Sequence, residues 1–176
     1  MRHQDLFEVS GILAESFPLS SEYLQWLIPL MRVGIQEDLR GRLRSTTPNY
    51  ACFVAVDTVR STKREDFLVG TVEVGLRYEG FWSPRSQQYP YLSNLAVRQD
   101  YRRQGIAQQL LLKCDRTAQS WGFESLYLHV LETNHGARQL YCKQGYRLEK
   151  AQLGLTSLLM GQPQRLFLRK DLAHDS

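Results

Sequence analysis

The reading of this chain turns on Tyr91-Leu92-Ser93-Asn94-Leu95-Ala96-Val97, then Arg102-Arg103-Gln104-Gly105-Ile106-Ala107, then Asn134 through Tyr141 to Gly145-Tyr146. Tyr91–Val97 is β-rich and reads as a strand. Arg103 to Trp121 places Ile106, Leu110, Leu111, Cys114 and Ala118 on one helical face, and Gly122 is a natural stop. Ser125–Leu131 alternates Leu126, Leu128 and Val130 with polar or aromatic residues, which predicts a half-buried strand. Strand, helix and strand make a parallel crossover of about 30 residues. Asn134 is placed to cap a further helix carrying Ala137, Leu140 and Tyr141, with Gly145 at its end.

The rest of the chain surrounds this crossover. Asp5 to Phe17 has helical spacing with Asp5 as its cap, and a second helix is expected from Ser21, interrupted near Pro29. Its tail carries Arg40, Arg42 and Arg44, a pattern typical of a solvated face. Tyr50–Asp57 is continuously apolar and predicts an interior strand; Phe67–Leu76 predicts the next, antiparallel by its short connection. Arg77 to Pro90 reads as a loop with Phe81-Trp82 near its tip. Tyr146–Ala151 and Arg165–Lys170 predict a closing hairpin around an apolar loop, Gln152 to Pro163. The expected architecture is α/β (α+β): a mixed, mostly antiparallel sheet with a central parallel crossover, flanked by helices on both faces. A dinucleotide fold is disfavoured, because no G-x-G-x-x-G follows the first strand.

Bulk properties set the class. The 176 residues suit one domain spanning 1–176, with 43% hydrophobic and 23% charged residues. No apolar run is long enough to span a bilayer, and no leader opens the chain, so no membrane association is expected. Cys52, Cys114 and Cys142 have no paired or metal spacing and read as reduced thiols, which predicts a cytoplasmic protein. The net charge of +4 suits an anionic ligand or acidic partner surface. The Arg clusters lack interleaved stacking aromatics, so no nucleic acid is expected. His3, His129, His135 and His174 lack ligand spacing, so no metal is expected.

The turn at Arg102–Gln108 stands where a strand gives way to a helix. There, unpaired N–H groups meet the positive end of the helix dipole, a natural place for a pyrophosphate. Gly105 admits close approach, Ala107 does not block it, and Arg102 and Arg103 add charge.

Together with N-x-x-A-x-x-L-Y-x-x-x-G-Y from Asn134 to Tyr146, this turn resembles the GNAT (GCN5-related N-acetyltransferase) superfamily. Its R/Q-x-x-G-x-G/A acetyl-coenzyme A motif is matched with Ala107 last. The resemblance is dense from Tyr91 to Tyr146 and rests on strand order elsewhere. The chain departs from the pattern in a missing or very short first strand, and its substrate loops carry no motif. The resemblance implies acetyl-coenzyme A as cosubstrate. Leu95, Ala96 and Val97 would pair with the pantetheine arm. Arg102, Arg103, Gln104, Gly105, Ile106, Ala107 and Gln108 would hold the pyrophosphate. Asn134 would contact the cofactor near its thioester arm, and Tyr141 would protonate the departing thiolate. An N–H of Leu95 or Val97 would be the oxyanion donor if the strand bulges there.

Direct transfer needs a neutral amine. At pH 7 deprotonation costs roughly 4–5 kcal/mol for a lysine and roughly 1 for an α-amine. His129 lies five residues before Asn134, where bacterial ribosomal-protein N-terminal acetyltransferases usually carry Glu. Tyr127-Leu128-His129-Val130 looks closer to the NatE catalytic type, which pairs such a His with a Tyr on the preceding strand; Tyr91 matches it. Tyr91 and His129 are therefore the expected base pair, acting through water. Glu73 is the rival base and Glu132 a weaker one. Resemblance to ribosomal-protein, NatE-type and plastid or cyanobacterial enzymes implies a protein or peptide acceptor, at an N-terminal α-amine, a lysine, or both. The alternatives are a small-molecule amine acetyltransferase, for which no acidic pocket residues stand out in the loops, and a non-catalytic acetyl-coenzyme A-binding module, which the presence of Tyr141 disfavours. The oligomeric state is not legible.

Overall fold

The computed structural model describes residues 6–16, 49–62, 66–78, 88–152 and 163–172. In order these form helix α1 (Leu6–Ser16) and strands β1 (Tyr50–Asp57), β2 (Phe67–Tyr78) and β3 (Gln88–Val97). After a 3₁₀ turn (Gln99–Tyr101) come helix α2 (Ile106–Ser120), strand β4 (Ser125–Leu131), helix α3 (His135–Lys143) and strands β5 (Arg147–Gln152) and β6 (Arg165–Asp171). Asp5, the helix expected from Ser21, the Phe81-Trp82 loop tip and residues 153–162 of the apolar loop lie outside the described residues.

The six strands form one mixed sheet in the order β1-β2-β3-β4-β6-β5. The parallel pair is β3 with β4, Tyr91 opposite Tyr127. β6 runs antiparallel to β4, with His129 opposite Phe167, and antiparallel to β5 on its other side. The closing hairpin thus inserts its second strand beside β4. The apolar run of β1 had suggested an interior position. Among the described residues it stands at the end of the sheet order and is half-buried along its whole length. β2 is the fully buried strand, enclosed from Leu68 to Val74.

By its packing the chain divides into two compact units. The first contains residues 1–73 and 94–110. Its core joins Val9, Ile12 and Leu13 of α1 to Leu68 and Ala96, with Val54 and Val56 packed against them. Glu8 of α1 accepts a hydrogen bond from the Leu68 N–H at 3.0 Å. The start of α2 lies so close to β2 that a Cβ at Gly70 would stand 3.2 Å from both the Ala96 carbonyl oxygen and Ile106 Cγ2. That spacing is tighter than a side chain accepts, which accounts for glycine at position 70.

The second unit contains residues 74–93 and 111–176. It buries Leu111, Cys114 and Ala118 of α2, Leu126, Leu128 and Val130 of β4, and Leu166 and Leu168 of β6. The helical period of the first set and the alternation of the second are those expected from sequence. Lys170 pairs with Asp115 at 2.6 Å. Burial nevertheless pushes the Asp115 carboxyl up from its ordinary value, with the lysine opposing.

Candidate active site

Helix α2 begins at Ile106, three residues later than the apolar spacing suggested. Arg103 (φ 63°) and Gly105 (φ 82°) are both left-handed, and an α-helix cannot run through such residues. The delay shapes the turn. The α-type bond from Gln109 N–H to the Gly105 carbonyl spans 3.0 Å, so the N–H groups of Ile106, Ala107 and Gln108 precede it at the positive end of the helix. Arg103, Gln104 and Gly105 are exposed. Arg102 is turned back, its Nε donating to the Val97 carbonyl at 3.1 Å.

The turn is anchored from below by contacts that sequence reasoning did not find. Tyr101 donates to Asp57 Oδ2 at 2.7 Å, at the end of β1. Asp57 Oδ1 also accepts from the N–H groups of Val59 and Arg60. The Tyr101 bond is the largest influence holding the Asp57 carboxyl below its usual range. Arg98 donates to the Leu68 carbonyl at 2.8 Å and covers the Phe67 ring. The donor set therefore fits a diphosphate: free helix-start amides, a left-handed glycine and an exposed guanidinium on a braced turn.

In the second unit the Tyr91 hydroxyl and His129 Nδ1 are 3.0 Å apart. Which of the two donates is set by the imidazole tautomer. The Tyr91–Tyr127 register puts the tyrosine two residues from His129 across the parallel pair. His129 lies on the face of β4 opposite Leu126, Leu128 and Val130, as alternation requires. Its ring packs 4.7 Å from that of Phe167, which stacks on Tyr127 at 5.3 Å. The Arg77 guanidinium sits 3.7 Å from the centre of the Tyr91 ring. Neither Phe167 nor Arg77 was singled out from sequence, although alternation along β6 and β2 was the available signal.

Tyr141 belongs to the same unit. It is 7% exposed and packs edge-on against Tyr146. Burial pushes its hydroxyl well up from the ordinary value, and Tyr91 adds an electrostatic push in the same direction. Asn134 is the cap of α3, its Oδ1 accepting from the Ala137 N–H at 3.1 Å. The amide nitrogen carries its remaining donors.

Glu73 and Asn94 belong to the first unit. Glu73 is 1% exposed, and its Oε1 accepts a 2.7 Å hydrogen bond from Asn94 Nδ2. Asn94 is left-handed, at φ 55° within β3. Leu95, Ala96 and Val97 follow it directly. Glu132 is exposed at the end of β4. Among the described residues no group of three or more potential metal ligands is found, and no helix is long and apolar enough to cross a membrane.

Comparison with known proteins bears on the family and the fold. The model of the Acetyltransferase (GNAT) family matches residues 13–146. GCN5-related N-acetyltransferase 10, chloroplastic, from Arabidopsis thaliana is 31% identical over 173 residues, covering 94% of this chain and 67% of that protein. The chain spans 28% and 57% of two further Arabidopsis relatives, numbers 7 and 5. All three are named chloroplastic, which overturns the cytoplasmic expectation. Reduced cysteines are compatible with any reducing compartment, so they could not separate a plastid from the cytoplasm. Among solved structures, Arabidopsis thaliana NAA60 with a bisubstrate analogue superposes with a TM-score of 0.69 at 20% identity, covering 97% of this chain and 95% of that one. The PaiA N-acetyltransferase of Thermoplasma acidophilum in complex with coenzyme A gives 0.67 at 17% identity, covering 97% and 95%. These two likenesses establish the fold. The braced turn, the Asn134-to-Tyr146 motif, the family match and the relative matched over 94% of this chain agree: this chain belongs to the GNAT N-acetyltransferase family, the acyltransferases that draw on acetyl-coenzyme A.

Proposed function

We propose that the chain moves an acetyl group directly from acetyl-coenzyme A to a protein amine, at an N-terminal α-amine, a lysine, or both. The observation that carries this reading is the 3.0 Å Tyr91–His129 pair in the same unit as the buried Tyr141 hydroxyl. One unit then holds a proton acceptor and a proton donor. In this reading residues 1–176 work as one acetyltransferase domain.

The residues divide the work as follows. The amides of Ile106, Ala107 and Gln108, with Arg103, bind the diphosphate of the cosubstrate. The backbone of Leu95–Val97 pairs with its amide arm, and the Asn134 amide donates near the thioester end. Tyr91 and His129 hold a water that takes the proton from the incoming amine. A backbone N–H of β3 stabilises the oxyanion. Tyr141 gives its proton to the departing sulfur. A peptide acceptor is supported by the bisubstrate analogue in the NAA60 structure and by the aromatic row of Tyr127 and Phe167 beside His129. The chloroplastic relatives support a plastid-type setting.

The test is acetyl transfer to a peptide library with free or blocked N-termini, with the acetylated atom located by mass spectrometry. Acetylation of free N-termini or lysines is the expected result. Absence of any peptide product, with turnover on small amines, would refute the protein-acceptor reading.

A further inference from the structure

Glu73 sits where a carboxyl group is expensive. Thr71, Val72 and Val74 around it on β2 are wholly enclosed, and Glu73 itself is 1% exposed. Burying such a group costs free energy unless it is hydrogen-bonded. One bond it makes goes to the side chain of Asn94, at 2.7 Å. Asn94 is the residue whose backbone leaves the extended region, at φ 55° in the middle of β3. Asparagine tolerates that region better than most residues, yet it remains a minor conformation for any L-residue and persists only where surroundings impose it. β2 leaves the first unit after Glu73, and β3 enters that unit at Asn94. The Arg98 N–H bonds to the Val69 carbonyl at 2.9 Å, so β3 is tied to β2 on the far side of the kink as well.

We propose that Glu73 is a positioning residue and not the base. Its carboxyl group grips the Asn94 side chain, locks the left-handed kink in β3, and so aims the backbone of Leu95–Val97 at the amide arm of acetyl-coenzyme A. This deepens the acetyltransferase reading and rests on it. A base must exchange a proton with the acceptor amine; a clamp needs only an oxygen that accepts from Asn94 Nδ2. Glutamine supplies that oxygen and cannot serve as a base, so the two roles separate by substitution.

The experiment measures kcat, acetyl-coenzyme A KM and ligand-free melting temperature for Glu73→Ala, Glu73→Gln, Asn94→Ala, Asn94→Gly and Glu73→Ala combined with Asn94→Gly. Loss of the clamp lets the strand relax, so Glu73→Ala should raise KM by about tenfold, with kcat changed less. Glu73→Gln should recover most of that loss. Glycine adopts the left-handed region freely, so Asn94→Gly should rescue Glu73→Ala. Asn94→Ala removes the clamp and puts there a residue that disfavours the left-handed region, so it should behave like Glu73→Ala, whereas Asn94→Gly should not. Should Glu73→Ala fail to fold, this Asn94 pair still decides the matter. A kcat loss as deep in Glu73→Gln as in Glu73→Ala, with KM unmoved, would make Glu73 the base and overturn the proposal. So would equal behaviour of Asn94→Ala and Asn94→Gly. If the wild-type protein does not bind acetyl-coenzyme A by calorimetry, the activity reading falls and this one with it. That failure is recognisable, because the melting difference between the two Asn94 variants needs no ligand.

Discussion

Tyr91 and His129 should behave as one device, and a double-mutant cycle can show it. The substitutions must remove the polar atoms while keeping the packing. Tyr91→Phe preserves the ring on which Arg77 stacks at 3.7 Å, and His129→Leu leaves an apolar side chain against Phe167, 4.7 Å away, where alanine would open a gap. Each change breaks the 3.0 Å hydrogen bond, worth about 1 kcal/mol of stability, so both variants should fold with modestly lowered melting points. Catalysis should suffer far more, since a positioned base contributes about 10²–10⁴-fold. If the pair jointly holds the proton-accepting water, the second substitution has little left to destroy. Two single losses of about 100-fold should then leave a double loss of about 100-fold, a coupling near 2.7 kcal/mol. The assay is kcat/KM on a free-N-terminus peptide at pH 7 and pH 9. An α-amine of pKa about 8 is mostly neutral at the higher pH, so the single-mutant defects should shrink there by up to about tenfold. Independent losses that multiply to about 10⁴, unchanged between the two pH values, would refute the shared-base argument.

Tyr141→Phe should lower kcat by about 10²–10³-fold while acetyl-coenzyme A KM stays within about threefold; equal losses in both would indicate a structural role. Because burial raises the Tyr141 hydroxyl well above its ordinary range, it stays protonated through pH 10, and the pH–rate profile of the variant should keep the wild-type shape. Arg77→Gln should cost about 0.5–1 kcal/mol of stability by calorimetry and lower kcat severalfold by loosening Tyr91; an unchanged kcat would confine the stacking to structure. Asp115 has a folded value raised above 3.8, so its contribution is full below that pH and is lost as pH rises through the raised value. Asp115→Asn should therefore flatten stability against pH above the ordinary carboxylate range in urea titrations, while lowering it overall because Lys170 loses its partner.

The crossover was legible because its residues repeat one instruction at several levels. Leu126, Leu128 and Val130 alternate, Leu111, Cys114 and Ala118 follow the helical period, and Asn134 and Gly145 punctuate the next helix. Tyr91 and His129 were nominated from sequence, and the structure sets them 3.0 Å apart; their catalytic role awaits the cycle above. Other features were hidden for physical reasons. β1 looked interior because a strand at the end of the sheet order, as β1 is among the described residues, can be as apolar as a central one when it packs on a helix; its Val54 and Val56 pack on the core that α1 helps build. The late start of α2 depends on left-handed backbone at Arg103, and arginine gives no warning of it. The Tyr101–Asp57 anchor joins residues 44 apart, and the Glu73–Asn94 clamp joins residues 21 apart. Only the sheet order reveals such pairs.

In the proposed mechanism Tyr141 meets the leaving group, and its environment bears on how that would work. An ordinary thiol titrates near 8.5 and a tyrosine near 10, so in water the proton transfer runs uphill by about 2 kcal/mol. Burial raises the phenol further, which at first sight makes Tyr141 a worse acid. The same loss of solvent, however, disfavours a thiolate, so the two affinities rise together where donor and acceptor share dry surroundings. What burial adds is the strength of the hydrogen bond to the developing charge, which grows as the local dielectric falls. Tyr141 is thus better suited to stabilise negative charge on sulfur than to acidify a solvated site. It must also hold its proton until that charge appears, and a raised affinity secures this. In the proposed mechanism the opposite demand, taking a proton from an amine, is assigned to the imidazole of His129. The proposed acid and base differ in environment, one enclosed at 7% exposure and one at a half-buried strand position, within a single packed unit.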